Sequence, residues 1–322
     1  MTTKRNTPWT ADKVGSQQGR RVVITGANSG IGWEAALELA RNGAEIVLPA
    51  RTQAKAEDAI ARIRRIVPQA KLIPEILDLA DLSSVRAFAG RYVERFPGAS
   101  LDLLINNAGV MGLPTRELTV DGFERQFGTN YLGPFALTAL LLLSIKPQPG
   151  SRVVTVSSSA SKWGKIDFSN LQGERVYKPM LQAYGQSKLA DSVFALELQR
   201  RLTAIGSPIL STAAHPGYAI TNLQTSGPGD SSGLVMRILS AVLKPIASQD
   251  SAHGALPTLF AAVAREATPG GYYGPDRFSE MKGHPVPVPI AKAAKDVAVA
   301  KRLWAESERL TGVSFGVLSA VG

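Results

Sequence analysis

The sequence predicts a doubly wound α/β fold, a mostly parallel sheet with helices on both faces. Two observations predict it. Short β-rich apolar runs alternate with amphipathic helical stretches from about residue 20 onward, and the first apolar run ends in a glycine-rich turn that opens a helix. No internal repeat, linker or low-complexity block interrupts the alternation, so residues 20–322 read as one domain behind a polar N-terminal tail, 1–19, that reads as a lid or a loose tail.

The elements follow in order. RVVITG (21–26) is a strand that stops at glycine, and WEAALELARNGA (33–44) is a helix with an Asn-Gly stop. EIVLPAR (45–51) and QAKAEDAIARIRRIV (53–67) form the second strand and helix. KLIPEILDL (71–79) and LSSVRAFAGRYVERF (82–96) form the third pair, and LDLLINNAG (101–109) the fourth strand. A long helix is expected over roughly 119–145, a strand at RVVTVSS (152–158), a helix from near Lys178, and a strand at PILSTAAHPG (208–217). GLVMRILSAVLKPIA (233–247) carries an apolar stripe of Leu234, Val235, Ile238, Leu239, Val242 and Leu243, and we expect a substrate lid over about 218–250. Plain core packing or a subunit contact is the competing reading of that stripe. YYGPDRF (272–278) reads as the last strand and its turn, and RLWAESERLTGV (302–313) as a terminal helix.

Composition narrows the function classes. The chain of 322 residues has 44% hydrophobic residues, enough for a substantial core. It has no cysteine, which excludes disulfides, thiolate metal sites and a cysteine nucleophile and suits a reducing cytoplasm. His215, His253 and His284 lie far apart with no acidic cluster beside them, so no metal site is expected. The net charge of +10 is scattered over pairs such as Arg20/Arg21 and Arg200/Arg201. No nucleic-acid module is visible, and solvated helix faces account for the charge. Peripheral membrane contact is a minor alternative, motivated by that charge and the 233–247 stripe. The N-terminus lacks the apolar run of a signal peptide.

TGANSGIG (25–32) lies between the first strand and its helix. Gly26, Gly30 and Gly32 let the backbone pass close to a pyrophosphate, and the helix N-terminus offers unpaired N–H groups. That placement makes the fold Rossmann-type. The spacing is G-x-x-x-G-x-G. Together with NNAG (106–109), Ser158 in VVTVSSSA, YGQSK (184–188), FGTNYLGPF (127–135) and HPGYAIT (215–221), in this order, it resembles the short-chain dehydrogenase/reductase family over roughly residues 20–275. LPAR (48–51), DFSNL (167–171) and the long gap from Ser158 to Tyr184 are more similar to its retinol-dehydrogenase and protochlorophyllide-reductase branches.

Tyr184 and Lys188 are four residues apart and share a helix face. A free phenol titrates near 10, too high for proton exchange near neutrality, and an adjacent ammonium stabilises the phenolate. The resemblance implies that Tyr184 is the acid/base, that Lys188 also bonds the nicotinamide ribose, that Ser158 holds the substrate oxygen, and that Asn130 holds a water linking Lys188 to solvent. The run Ser157-Ser158-Ser159 leaves the choice of serine open, because such serines also satisfy turn backbone. Asn130 also reads as a helix irregularity.

By the same resemblance, cofactor contacts come from Gly26, Asn28, Ser29, Gly30, Ile31, Gly32, Arg51, Asp78, Leu79, Asn107, Ala108, Gly109, Tyr184, Lys188, Pro216, Gly217, Ala219 and Thr221. Asp78 equally reads as a helix cap. An NAD-binding strand ends in a carboxylate that grips the ribose 2′-hydroxyl, but here Ala50 stands there and Arg51 follows. The cofactor expected is therefore NADP(H), with Arg51 on the 2′-phosphate. The expected activity is hydride transfer between nicotinamide and a hydrophobic ketone, aldehyde or alcohol. A non-catalytic NADP-responsive binding protein and a reductase of a carbon-carbon double bond are the alternatives. The apolar Phe135–Ile145 run and VFALELQRRL (193–202) suggest helices paired across a homodimer or homotetramer.

Overall fold

A computed structural model describes residues 7–218 and 249–321. Alternation of apolar residues along each strand sends successive side chains to opposite faces of one sheet. In β1 (Arg21–Ile24), Val22 and Ile24 join one core layer and Val23 the other. The same division holds in β2 (Glu45–Ala50), β4 (Leu103–Asn106) and β5 (Arg152–Val156). With β3 (Lys71–Ile76), β6 (Leu210–Ala214), β7 (Tyr272–Arg277) and β8 (Lys282–Pro287), the order is β3-β2-β1-β4-β5-β6-β7-β8. All pairings are parallel except β7–β8. The chain steps outward from β1 in both directions, which opens a crevice beyond the carboxyl ends of β1 and β4.

Helices α1 (Gly30–Arg41) and α2 (Gln53–Ile66) cover one face. Helix α3 (Leu82–Arg95), helix α4 (Arg125–Ser144) and helix α5 (Gly185–Ala204) cover the other. Helix α6 (Ser251–Val263) returns to the first face and α7 (Val297–Thr311) closes the second. Two helices are locally over-wide. In α4, residues Gly128–Leu132 form a π turn, and Pro134 has no N–H to give the carbonyl of Asn130 four residues back. A second π turn, Pro179–Tyr184, leads into α5.

Several expectations are corrected. The helix expected over 119–145 starts only at Arg125, because the preceding residues form a turn closed by Thr119 N to Phe123 O at 2.8 Å. The described part of the tail is not loose. Trp9 and Val14 are buried, and Trp9 meets Phe260 of α6 edge-on at 5.4 Å. β7 is not the last strand, since the chain reverses into β8. Helix α6 was not anticipated. The expected lid helix, 233–247, lies outside the described residues. The apolar helices that suggest subunit pairing also bury part of their surface within the chain, while Leu143 of α4 stays exposed. Phe135 and Phe194 pack against Trp304 of α7 and against Phe315, with ring centroids 5.0–6.1 Å apart.

Candidate active site

The glycine turn is built against the end of β4. Thr25 Oγ1 accepts hydrogen bonds from the backbone N–H groups of Asn107 and Ala108 at 3.0 and 3.1 Å. Asn107 Nδ2 returns one to Thr25 O at 2.9 Å. Two distant motifs are thereby locked together, and glycine is required where they touch. Gly26 has φ +68°, and a Cβ there would lie 2.8 Å from Ala108 Cα. Ser29 precedes α1 without a side-chain cap bond, so the first N–H groups of this helix are left to a ligand.

A cleft of about 920 Å³ runs from this turn across the carboxyl edge of the sheet. It is lined by Gly26, Asn28, Ser29, Gly30, Ile31, Gly32, Arg51, Asp78, Leu79, Asn107, Ala108, Gly109, Tyr184, Lys188 and Pro216, all expected from the sequence. The backbone cradle and the bare helix N-terminus fit the pyrophosphate of a nicotinamide dinucleotide. Asp78 Oδ1 also accepts from Ala80 N at 2.9 Å, so it caps its own turn while facing the cleft. Lys55 and Arg62 line the same end as Arg51 and were missed. Their signal was spacing: residues 51, 55 and 62 recur at four and seven, one face across the strand end and α2. Arg62 also donates to Asn28 O and lies over the Trp33 ring at 5.2 Å.

At the other end, Tyr184 closes the π turn before α5, and Lys188 follows one turn later. Both are nearly buried and both face the cleft. Lys188 Nζ donates to Val156 O at 2.9 Å and to Asp191 Oδ2 at 2.7 Å. Burial pulls the Lys188 ammonium downward, but Asp191 and Tyr184 outweigh it and hold the group above its ordinary value. Burial pushes the Asp191 carboxyl up to about 6, against the pull of Lys188. Asp191, like Lys55 and Arg62, is a residue the sequence reading missed.

Asn130 lies behind the cleft wall. Its Oδ1 accepts from Val110 N at 2.7 Å, and its Nδ2 donates to Val110 O and Ser187 Oγ, each at 2.9 Å. A Cβ on Gly109 would lie 3.2 Å from Asn130 Oδ1 and 3.7 Å from Lys188 Nζ, so these groups surround one point. Asn130 sits in the π turn of α4, so the helix irregularity is present as well.

The serines divide their work. Ser157 Oγ, buried, donates to Lys188 O at 2.8 Å and meets Ser192 Oγ at 2.9 Å, which pins α5 to β5. Ser158 is half-buried and caps the following turn, its Oγ accepting from Ala160 N at 3.2 Å. Ser157 lines the cleft, whereas Ser158 stands at the turn beside it. Gly217, with φ +67°, packs under Met281, where a Cβ would lie 2.3 Å from the carbonyl oxygen. Ala219 and Thr221 lie outside the described residues.

Val110, Met111 and Leu113 form an apolar stretch of the cleft lining, which also includes Glu117 and Arg125, paired with each other at 3.9 Å. Met180 adjoins it, since a Cβ on Gly112 would lie 3.2 Å from Met180 Sδ.

Comparison with known proteins shows the family and the fold. The profile described as short chain dehydrogenase matches residues 20–230. Retinol dehydrogenase 13 of Homo sapiens is 42% identical over 300 residues, covering 92% of this chain and 85% of the relative. Polyprenol dehydrogenase of Mus musculus is 40% identical over 307 residues, covering 93% and 86%. A solved structure of an uncharacterised protein from Mycobacterium Paratuberculosis superimposes with TM-score 0.77 at 41% identity, covering 96% of this chain and 99% of that one. A short chain dehydrogenase from Burkholderia cenocepacia J2315 in complex with NADP shares the fold, with TM-score 0.60, 24% identity and coverage of 79% and 95%.

Proposed function

The chain belongs to the short-chain dehydrogenase family, and from that premise we propose that it is an NADP(H)-dependent oxidoreductase of hydrophobic alcohols and their aldehydes or ketones. One observation carries the reading: Tyr184 and Lys188 open into the same cleft as the glycine turn, whose lining has an apolar stretch at Val110, Met111 and Leu113.

A bound nicotinamide would supply or accept the hydride. This chain's residues do the rest. Tyr184 gives a proton to the forming alkoxide, or takes one from the alcohol, at its phenolic oxygen. Lys188 steadies the phenolate by charge and reaches the ribose side of the cleft. Ser158, released from its cap on Ala160 N, holds the substrate oxygen and stabilises its developing charge. Asn130 fixes the Val110 backbone beside Lys188 and thereby the wall on which substrate and cofactor meet.

Substrate class follows from the cleft lining and the relatives. Val110, Met111 and Leu113 offer no charge, and Glu117 and Arg125 on the same lining are paired with each other, so an apolar chain or ring is favoured over a sugar or acid. Relatives named for retinol and polyprenol support a hydrophobic isoprenoid alcohol as the first substrate to try. The cofactor choice rests on Ala50, where a carboxylate would repel the 2′-phosphate, and on the cluster Arg51, Lys55 and Arg62.

The test is a panel of retinoid, polyprenol, fatty and short polar alcohols and carbonyls, followed by nicotinamide absorbance with both cofactors. Turnover of the hydrophobic members that is lost in Tyr184→Phe, with cofactor binding kept, supports the reading. Near-normal kcat in Tyr184→Phe refutes it.

A further inference from the structure

We propose that Asp191 is a positioning residue, the buried counter-charge that keeps Lys188 an ammonium and holds it at the cleft wall for the cofactor's ribose. This rests on the reading above that Lys188 meets that ribose.

The geometry is specific. Lys188 and Asp191 sit on successive turns of α5, with side chains only 6% and 2% exposed, and their charged atoms lie 2.7 Å apart. An ammonium buried without a partner loses its proton, because desolvation penalises only the charged form. The other acceptor of Lys188 is a neutral carbonyl, Val156 O at 2.9 Å. A carbonyl orients the group but does not balance its charge.

The surroundings offer no substitute. Tyr184 faces Lys188 from the turn before α5, and Tyr131 faces Asp191 from α4. Burial pushes the Tyr131 phenol far up, so it stays neutral, and it bonds Ser307 Oγ at 2.7 Å. Glu197, farther along α5, is taken by Arg200 and Arg201. From β5, Ser157 adds only a hydroxyl. Among the described residues, Asp191 is thus the one carboxylate in contact with Lys188.

The consequence is a pH dependence that the Tyr-Lys pair alone does not carry. With Asp191 ionised, Lys188 stays charged well into the alkaline range. In Asp191→Asn the amide keeps the shape and one acceptor but not the charge. Lys188 then discharges at lower pH, and its hold on the cofactor weakens there.

The experiment titrates the intact protein with NADPH and with NADH by nicotinamide fluorescence, at about pH 7 and about pH 9.5, and follows the tighter binder. No turnover is needed, so the result is separate from the Tyr184→Phe test of the activity. We expect the affinity of Asp191→Asn to fall at least tenfold more than that of the native chain between the two pH values, and Asp191→Glu to restore the native profile. An equal loss at both values, or none at either, overturns the inference. A second arm is thermal unfolding without cofactor. Removing both charges, Lys188→Met with Asp191→Asn, should give a more stable protein than Lys188→Met alone, which strands a buried carboxylate. A double variant no more stable than the single one also overturns it. This arm serves where Asp191→Asn does not fold or where neither cofactor binds.

Discussion

Gly32 and Asn107 are packed so closely that a Cβ on Gly32 would lie 2.3 Å from Asn107 Nδ2 and 2.6 Å from Gly26 O. The contact joins the start of α1 to the end of β4, which are 75 residues apart by subtraction of their numbers. Asn107 cannot retreat freely, because the same Nδ2 is bonded to Thr25 O.

Gly32→Ala therefore separates packing from helix propensity. Alanine is the better helix former by about 1 kcal/mol, so an unconstrained site would gain stability. Here the methyl must displace Asn107 or the Gly26 carbonyl. We expect a lower melting temperature and dinucleotide affinity reduced about tenfold or more, a change of roughly 1.4 kcal/mol. A more stable variant with native affinity would show that the contact is not a constraint.

Glu280 gives a stability prediction with a definite pH sense. It accepts hydrogen bonds from Lys162 Nζ at 2.6 Å and from His215 Nε2 at 3.0 Å. Gly217 N donates to His215 Nδ1 at 3.3 Å, which places the ring proton on Nε2. The turn Phe278, Ser279, Glu280 that presents the carboxylate has φ 52°, 53° and 65°, strained for side-chain-bearing residues. The hydrogen bond from His215, opposed by burial and helped by Lys162, holds the Glu280 carboxyl below its ordinary value. Its folded-state value is depressed, so its stabilisation is present above the unfolded value near 4.5 and is lost as pH falls through the folded value. Glu280→Gln should lower the melting temperature near neutrality, and the gap to the native chain should narrow below about pH 4.5. Melting curves across pH check this. A gap that widens in acid would contradict it.

Trp304 tests how the second core layer is closed. It is almost fully buried, with the Phe315 ring at 4.4 Å, Phe135 at 5.3 Å and Phe194 at 5.9 Å. Arg201 covers it at 4.2 Å. Trp304→Ala should cost about 3–5 kcal/mol by lost burial and cavity formation, measured by denaturant unfolding. Trp304 does not line the cleft, so the folded fraction should bind the dinucleotide normally. A cost under about 1 kcal/mol would mean that α7 does not close the core.

Legibility in the sequence followed the range of the signal. The alternation of strands and helices through β5, the glycine turn and the Tyr-Lys pair are local patterns, and apart from the late start of α4 each is where it was expected. Helix α6 was hidden because Gly254 and Pro257 interrupt its pattern, yet it is buried against α1 and the sheet. β8 was hidden because KGHPVP lacks alternating apolar residues and is held by antiparallel pairing with β7. The carboxylates Asp191 and Glu280 looked like ordinary charges. Lys188 is a local partner of Asp191, three residues back, but the pair is buried only once α5 packs on β5. Glu280 meets His215 and Lys162 only once the β7–β8 turn lies over the end of β6.

The proposed preference for a 2′-phosphate can be tested by reversal of charge. Ala50 is buried at the end of β2, and a carboxylate there would face the ribose as it does in NAD-binding strands. Lys55 lines the cleft with Arg51, and Arg62 does so paired with Asp58 at 3.0 Å, so the basic field comes from more than Arg51 alone. Ala50→Asp with Arg51→Ser removes one charge-assisted donor and adds a repelling group. Each such interaction is worth roughly 1.5–3 kcal/mol, so the ratio of NADPH to NADH affinity should fall about tenfold or more. Because Lys55 and Arg62 remain, adding Lys55→Ala should move the ratio further toward NADH. Arg62 is a poorer choice, since its guanidinium also holds Asn28 O and its loss would disturb the glycine turn itself. Titration of both cofactors against all three proteins decides the matter. Tighter binding of NADH than NADPH by the native chain would mean that the end of β2 has been misassigned.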